Sequence, residues 1–290
     1  MTTRRIGSRL VQYGLHALLS AFFLLPLAFM FVSAFKADEM QLLTDMGSLL
    51  AFVPYGDISF ANFAKVFQNT PYLRAFVNSV GITALTVGLG VLVNSMLAYA
   101  LARFRFFGRD LLLALIVALI IIPFEAIAVP LLLLVNELPW LGAEGLSIGW
   151  LDSYQVQVIP FIANAFSVYL FYQFFIELPR DLEEAALMDG ASRWRIYWSI
   201  VMPLSKPVIA TVAILQFLAR WGDLLWPVMV VRGDTYGTLP LAMQTFFGQF
   251  PREWGSVMAF AAMATIPTLA LFLAFQRWFV SSAISSAIKG

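Results

Sequence analysis

Six long apolar runs, separated by shorter polar stretches, set the rhythm of this sequence. The first reaches from Leu15 to Phe35 behind Arg4, Arg5 and Arg9. It exceeds the roughly 7–15 residues of a signal-peptide core, so it predicts a retained membrane helix, bent at Pro26. A more polar stretch from Lys36 to Arg74 follows. It predicts a turn at Pro54 and Gly56, a short helix over Phe60–Phe67 capped by Ser59, and a break at Asn69-Thr70-Pro71. The later runs predict spans over Ala75–Leu101, Leu111–Val135, Tyr154–Ile176, Val208–Val231 and Val257–Phe279. A loop with Trp140, Gly142, Gly145 and Trp150 precedes the fourth span, a second loop covers Arg232–Ser256, and a short polar tail closes with Lys289-Gly290. No internal repeat or low-complexity tract stands out, so one domain over residues 1–290 is the simplest expectation. The pattern is that of an all-α polytopic membrane protein with six transmembrane helices.

Composition sharpens that picture. Of 290 residues, 61% are hydrophobic and 12% charged, against roughly 25% charged in a soluble domain. A net charge of +1 excludes a strongly basic nucleic-acid footprint. Cysteine is absent and His16 is the single histidine, which excludes disulfides, thiol nucleophiles and Cys/His metal sites. His16 falls at the inner end of the first span and is given no role. A Walker A loop needs Gly-Lys followed by Ser or Thr. Lys36, Lys65, Lys206 and Lys289 all lack that successor, so any ATP that drives this chain is hydrolysed by another polypeptide.

Six spans put both termini on one side. Arg4, Arg5, Arg9, Arg103, Arg105, Arg109, Arg180, Arg193, Arg195, Lys206, Arg277 and Lys289 share the side of the polar stretch 177–207. Lys36, Lys65, Arg74, Arg232 and Arg252 lie opposite, and Arg220 is intramembrane. The positive-inside rule makes the richer side, with both termini, cytoplasmic.

The stretch 177–207 is the longest polar segment on that side. Pro179 suits a first helical position, Asp181, Glu183 and Glu184 load the first turn with negative charge, and Gly190 sits where a helix stops. Leu182, Ala185 and Ala186 fall on one face. Ser192 caps a second helix carrying Trp194, Tyr197, Trp198 and Val201 at helical spacing until Pro203 ends it. Two short helices at a glycine elbow make a docking knob. The alternative is an amphipathic connector held in the headgroup layer by Trp194 and Trp198.

Charges at membrane depth mark a pathway or a pair. Glu125 falls midway along the third run, and Arg220 and Asp223 fall near the middle of the fifth. Three residues apart on one helical face, Arg220 and Asp223 either neutralise each other or line a wet cavity. In the second case Arg220 meets an anionic sugar, and Trp221 and Trp226 add flat apolar faces for sugar rings. Asn78, Asn94 and Asn164 read as interhelical hydrogen-bonding groups. Pro123, Pro130, Pro160 and Pro227 read as bends.

Glu184-Ala185-Ala186, then Gly190, Ile200 and Met202-Pro203, closely resemble the EAA loop of ABC-importer permeases. Met202 replaces the family's usual Leu. The likeness continues in Ile122-Pro123 with Val129-Pro130, in Asp189–Ser192 and Leu204–Pro207, and in Trp221–Pro227. It also covers Gly237-Thr238-Leu239-Pro240 and the ending from Gln276-Arg277 to Ala287–Gly290. These resemble carbohydrate-importer permeases, above all the smaller permease of maltose-type systems. Trp221-Gly222-Asp223 departs from the family's more usual Trp-Asn-acidic pattern.

The resemblance implies a type I ABC importer permease fold in a bacterial inner membrane. It implies a second homologous permease, two ATPase subunits that bind ATP and Mg, an extracytoplasmic solute-binding protein, a sugar substrate and surrounding lipid, with no cofactor in this chain. It assigns ATPase coupling to Glu184, Ala185, Ala186, Met188, Asp189, Gly190 and Pro203. The charges at membrane depth, not the resemblance, give the candidate solute pathway of Glu125, Arg220, Trp221 and Asp223. The loop Arg232–Ser256 resembles the one that probes the binding protein, with Thr235, Tyr236, Gln244, Phe247 and Phe250 as candidate contacts. Two other classes stay open: an ion-coupled secondary transporter with Glu125 or Asp223 as proton carrier, and a membrane scaffold that moves no solute.

Overall fold

The computed structural model describes residues 2–142, 145–248 and 252–288, without the side chains of 2–11, 142 and 276–288. Phe250, Lys289 and Gly290 lie outside the described residues, as do the side chains of Arg4, Arg5, Arg9 and Arg277. The backbone forms two compact units, residues 1–73 with 242–267 and residues 74–241 with 268–290.

In the first unit, α1 (Thr2–Phe35) carries Pro26 within it. The polar stretch after it is more ordered than its sequence suggests. It holds α2 (Glu39–Asp45), capped by the Asp38 carboxylate, a 3₁₀ turn at Leu49–Phe52, and α3 (Ala61–Asn69). Helix α3 starts one residue later than expected, with Phe60 and not Ser59 as its N-cap; Ser59 Oγ accepts from Ala61 N just ahead of it. Buried Asn62 donates to the Ala34 and Lys36 carbonyls at 3.2 and 2.8 Å, satisfying groups that the end of α1 leaves open. Lys36 and Asp45 form a buried ion pair at 2.7 Å, with Tyr55 Oη donating to the other carboxylate oxygen.

In the second unit, α4 (Tyr72–Arg103) is a single long helix. The third apolar run is not one helix. Pro123 has no N–H and forces Ile122 into an extended conformation, so α5 (Arg109–Ile121) stops and α6 (Phe124–Glu137) starts at 108° to it. Pro130, by contrast, is carried inside α6. The expected loop after α6 is an antiparallel hairpin, β1 (Pro139–Gly142) with β2 (Gly145–Ile148), pairing Trp140 with Ser147. Every other element is helical.

The fourth run is also interrupted. Helix α7 (Tyr154–Val158) passes through a 3₁₀ turn at Ile159–Phe161 before α8 (Ala165–Glu177) begins. Asn94 repairs the break: its Nδ2 donates to Ile162 O and its Oδ1 accepts from Asn164 N, both at 2.9 Å. Asn164 in turn caps α8 through Ser167 N. One side-chain amide thus satisfies the groups left open at the break, Ile162 O and Asn164 N, in an apolar setting, while Val156 O, which Pro160 cannot bond, accepts from Trp226 Nε1.

After α9 (Asp181–Met188), helix α10 (Arg193–Leu204) contains a π turn over Tyr197–Val201. Pro203 does not end it, contrary to expectation. The π turn has Met202 N bonding Tyr197 O, five residues back, which leaves the proline ring room inside the helix. The break comes at buried Ser205, and α11 (Lys206–Trp221) leaves at 77° with Pro207 in its first turn. The expected fifth span is broken too, at Gly222–Leu224, before α12 (Leu225–Val230). The second loop contains α13 (Leu239–Phe247), and the last helix, α14 (Trp254–Ile288), runs through the expected polar tail. Among the described residues, four helical segments, Gln12–Phe35, Tyr72–Arg103, Tyr154–Glu177 and Trp254–Phe275, are long and apolar enough to cross a membrane, and counting each bent pair as one span gives up to six.

The second unit's main core gathers Leu101, Phe171, Phe175, Ile196, Tyr197 and Val212, so α4, α8, α10 and α11 meet there. A second cluster holds Val135, Val156, Trp226 and Val230, with Trp226 Nε1 donating to Val156 O at 2.9 Å. Large apolar side chains such as Leu115, Leu133 and Phe272 remain exposed, as lipid-facing helices require.

Candidate functional site

The elbow at α9 is built as a pinned helix with a free front. Its chain enters later than Pro179 suggested: Arg180 is the N-cap and Asp181 the first helical residue. It ends in a two-bond stop, with Gly190 N donating to Leu187 O at 3.0 Å and Ala191 N to Ala186 O at 2.9 Å. That stop needs Gly190 at φ +79°, a left-handed conformation that a β-branched side chain resists. A Cβ at Gly190 would meet nothing within 4 Å, so the glycine serves backbone conformation and not close packing. Ser192 Oγ then caps α10 through Arg195 N.

The two neighbouring glutamates of α9 have opposite fates. Glu184 is exposed, together with Ala185, Asp189, Gly190 and Met188, the last at 89%. Ala186 and Leu187 turn inward against the core of α4, α8 and α10. Leu182, placed beside Ala185 and Ala186 in sequence, is 45% exposed. Glu183 is buried at 4% and was missed as a site residue. Its Oε1 accepts from Arg103 Nε at 2.5 Å, its Oε2 accepts from Tyr99 Oη at 3.0 Å, and Arg193 Nη1 stands 3.9 Å away. Arg103 also donates through Nη2 to Leu178 O at 3.0 Å. Pro203 lies inside α10 and not on the free front of α9.

Among the intramembrane charges, Arg220 and Asp223 are joined at 3.0 Å, with side chains 15% and 13% exposed. Arg220 lies in the last turn of α11, and Asp223 sits in the break after it, where its carboxylate accepts from Trp226 N. The guanidinium also covers the Phe161 ring at 3.8 Å. Arg220, Phe161, Phe124, Thr86 and Gln216 line a cavity of about 360 Å³ beside the α5–α6 bend. Glu125, one residue past Phe124, is exposed in the first turn of α6 and does not line it. Trp221 is buried, stacked on Phe217 at 5.3 Å and edge-on to Phe76. Trp226 is buried at 1% in the second core cluster, so neither indole presents a free face.

The stretch before α13 is held from below. Asn78 Nδ2 donates to Thr235 O and Gly237 O, both at 2.9 Å, while Asn78 Oδ1 accepts from Tyr154 Oη. Gln157 Nε2 donates to Tyr236 O, and Ser79 Oγ accepts from Leu239 N. Thr235 is exposed and Tyr236 packs edge-on against Tyr154. In the first unit, Gln244 and Phe247 are exposed, with Arg252 over the Phe247 ring. Among the described residues, no cluster of three acidic or His side chains gathers to hold a metal.

Residues 87–284 match the family model of the binding-protein-dependent transport system inner membrane component. The chain belongs to this family. The family is one of transport permeases, and its matched region contains the elbow, both bent pairs and the cavity lining apart from Thr86. The permease is 32% identical to the arabinooligosaccharides transport system permease protein of Halalkalibacterium halodurans, over 84% of each chain. It is 32% identical to the trehalose transport system permease protein of Mycobacterium tuberculosis, over 98% of this chain and all of the other. It is 33% identical to the sn-glycerol-3-phosphate transport system permease protein of Yersinia enterocolitica, over 91% of each. Among solved structures, a bacterial ABC transporter involved in the import of the acidic polysaccharide alginate shares the fold. Its TM-score is 0.78 at 23% identity, over 96% of this chain and 98% of that one.

Proposed function

We propose that this permease forms half of the translocation pathway of an ATP-driven, binding-protein-dependent sugar importer. Its setting is a bacterial inner membrane, with both termini and the α9 elbow on the cytoplasmic side. The observation that carries this reading is the elbow itself, a helix anchored through Glu183 and presenting Glu184, Ala185, Met188, Asp189 and Gly190 to solvent. Such a small-residue front admits the cleft of a partner ATPase, and two ATPase subunits supply the ATP and Mg chemistry. A second homologous permease completes the pathway. An extracytoplasmic binding protein meets the stretch carrying Thr235, which is exposed, and Tyr236.

The solute class is supported by relatives named for an arabino-oligosaccharide and trehalose, both neutral and rich in hydroxyls. Within the membrane, the Arg220 cavity is the candidate pathway wall, ahead of Glu125 or Trp221. With Asp223 already neutralising Arg220, that wall favours neutral hydroxylated solutes over acidic ones.

The test is co-expression with the partner genes, followed by reconstitution into liposomes. Sugar uptake that requires both ATP and the binding protein is the expected result. Uptake that follows a proton gradient without ATP would replace this reading with the ion-coupled one.

A further inference from the structure

We infer that Glu183 and Arg103 form a positioning clasp that makes the elbow move as one body with α4. The inference rests on the importer reading, since it concerns where the ATPase's push on α9 is delivered. Arg103 is the last residue of α4, and its guanidinium holds two points on a different part of the chain. Nε donates to the Glu183 carboxylate in the first turn of α9 at 2.5 Å, and Nη2 donates to Leu178 O, just past the end of α8, at 3.0 Å. Tyr99, one turn back on α4, donates to the other Glu183 oxygen.

Both partners of the ion pair are all but closed to water, with side chains 4% and 6% exposed. A pair so placed is weakly screened and directional, and a guanidinium fork fixes orientation as well as distance. The adjacent Glu184 has none of these contacts among the described residues and faces solvent. The two glutamates therefore divide the work: one faces the partner, and its neighbour ties that contact to a helix whose Thr86 lines the Arg220 cavity. Displacement of α9 then reaches the cavity through α4, without depending on the α10–α11 bend at Ser205.

The test uses the whole importer complex in nanodiscs, with the cysteine-free chain as background. Thr86→Cys reports α4 through its rate of N-ethylmaleimide labelling, nucleotide-free against vanadate-trapped. Met188→Cys, in a parallel variant, reports docking by crosslinking to the ATPase chain. The labelling rate is expected to differ between the two states by about fivefold or more, the range of ordinary inter-site coupling. Glu183→Gln preserves size but removes the charge and turns one of the two accepting oxygens into a donor, and Arg103→Lys preserves charge but not the fork. Each is expected to abolish that difference while the Met188→Cys crosslink persists.

A difference retained in both variants overturns the clasp, and so does its absence in the parent. Failure of the crosslink in the parent, by contrast, strikes the importer reading. Loss of the crosslink only in the variants would make Glu183 a folding residue and also overturns the inference.

Discussion

Two ion pairs in this permease look alike on paper and differ in build. Arg220–Asp223 joins residues three apart in sequence across the end of one helix, with both side chains still 13–15% exposed. Arg103–Glu183 joins residues eighty apart, from different helices, and is closed to water to within 4–6%. The first is satisfied by local geometry and tolerates a nearby cavity. The second holds α4, the end of α8 and the start of α9 together, so its loss is felt by three elements at once. Proximity in sequence is therefore a poor guide to how much of the fold an ion pair commits.

The largest expected effect separates these pairs directly. Arg103→Leu leaves Glu183 buried with only Tyr99 and the more distant Arg193, and removal of one partner of a buried pair costs about 3–5 kcal/mol. Arg220→Leu leaves Asp223 with the Trp226 N–H and a side chain still 13% exposed, so its cost is expected to be smaller. Thermal melting of both variants in one detergent checks the order. Equal losses would mean that the clasp holds no more of the structure than the local pair.

The same contrast explains what the sequence disclosed. Arg220–Asp223 was legible as a neutralising pair because three residues of separation keep the two charges close, even though α11 ends before Asp223. Glu183 was not, because its partners lie on a helix eighty residues earlier, and periodicity carries no information about which neighbour arrives from elsewhere. The repeated acidic residues of Glu183-Glu184 read as one charged first turn, although burial splits them. Ile122-Pro123 was legible as a bend but not as a 108° break, since Pro130 has the same chemistry and stays within a helix. The elbow at Gly190 was legible throughout, because a left-handed glycine after an amphipathic run is a local signal.

That elbow supplies the next effect. Gly190→Val forces a β-branched residue into φ +79°, which costs roughly 1–2 kcal/mol or more of left-handed strain. Gly190→Asn is expected to cost less, because its short polar side chain tolerates that conformation. Space does not discriminate between them, since nothing lies within 4 Å of a Cβ there. ATP hydrolysis without matching uptake is the expected phenotype of the valine variant, measured as sugar moved per ATP. If the asparagine variant is equally uncoupled, bulk at the docking front matters and backbone conformation does not.

The smallest effect is expected where titration, and not truncation, breaks a pair. Asp45 is the third case, buried beside Lys36 in the polar stretch before α3. The Lys36 ammonium donating to it, and then the Tyr55 hydroxyl, hold its carboxyl below the usual aspartate range. Reciprocally, its hydrogen bond to Asp45 pushes the Tyr55 phenol up. A carboxylate with a lowered folded pKa contributes stability that is complete above the ordinary value, about pH 4, and is lost as pH falls through the lowered one. Tyr55 has the opposite sign: its contribution is complete below about pH 10 and fades as pH rises through the raised value. Protonated Asp45 keeps its volume and much of its hydrogen bonding, so acid removes less than Arg103→Leu does. The melting temperature is therefore expected to fall more steeply below pH 4 in the wild type than in Asp45→Asn. Parallel acid limbs in the two proteins would show that Lys36 and Tyr55 lend Asp45 no titratable advantage.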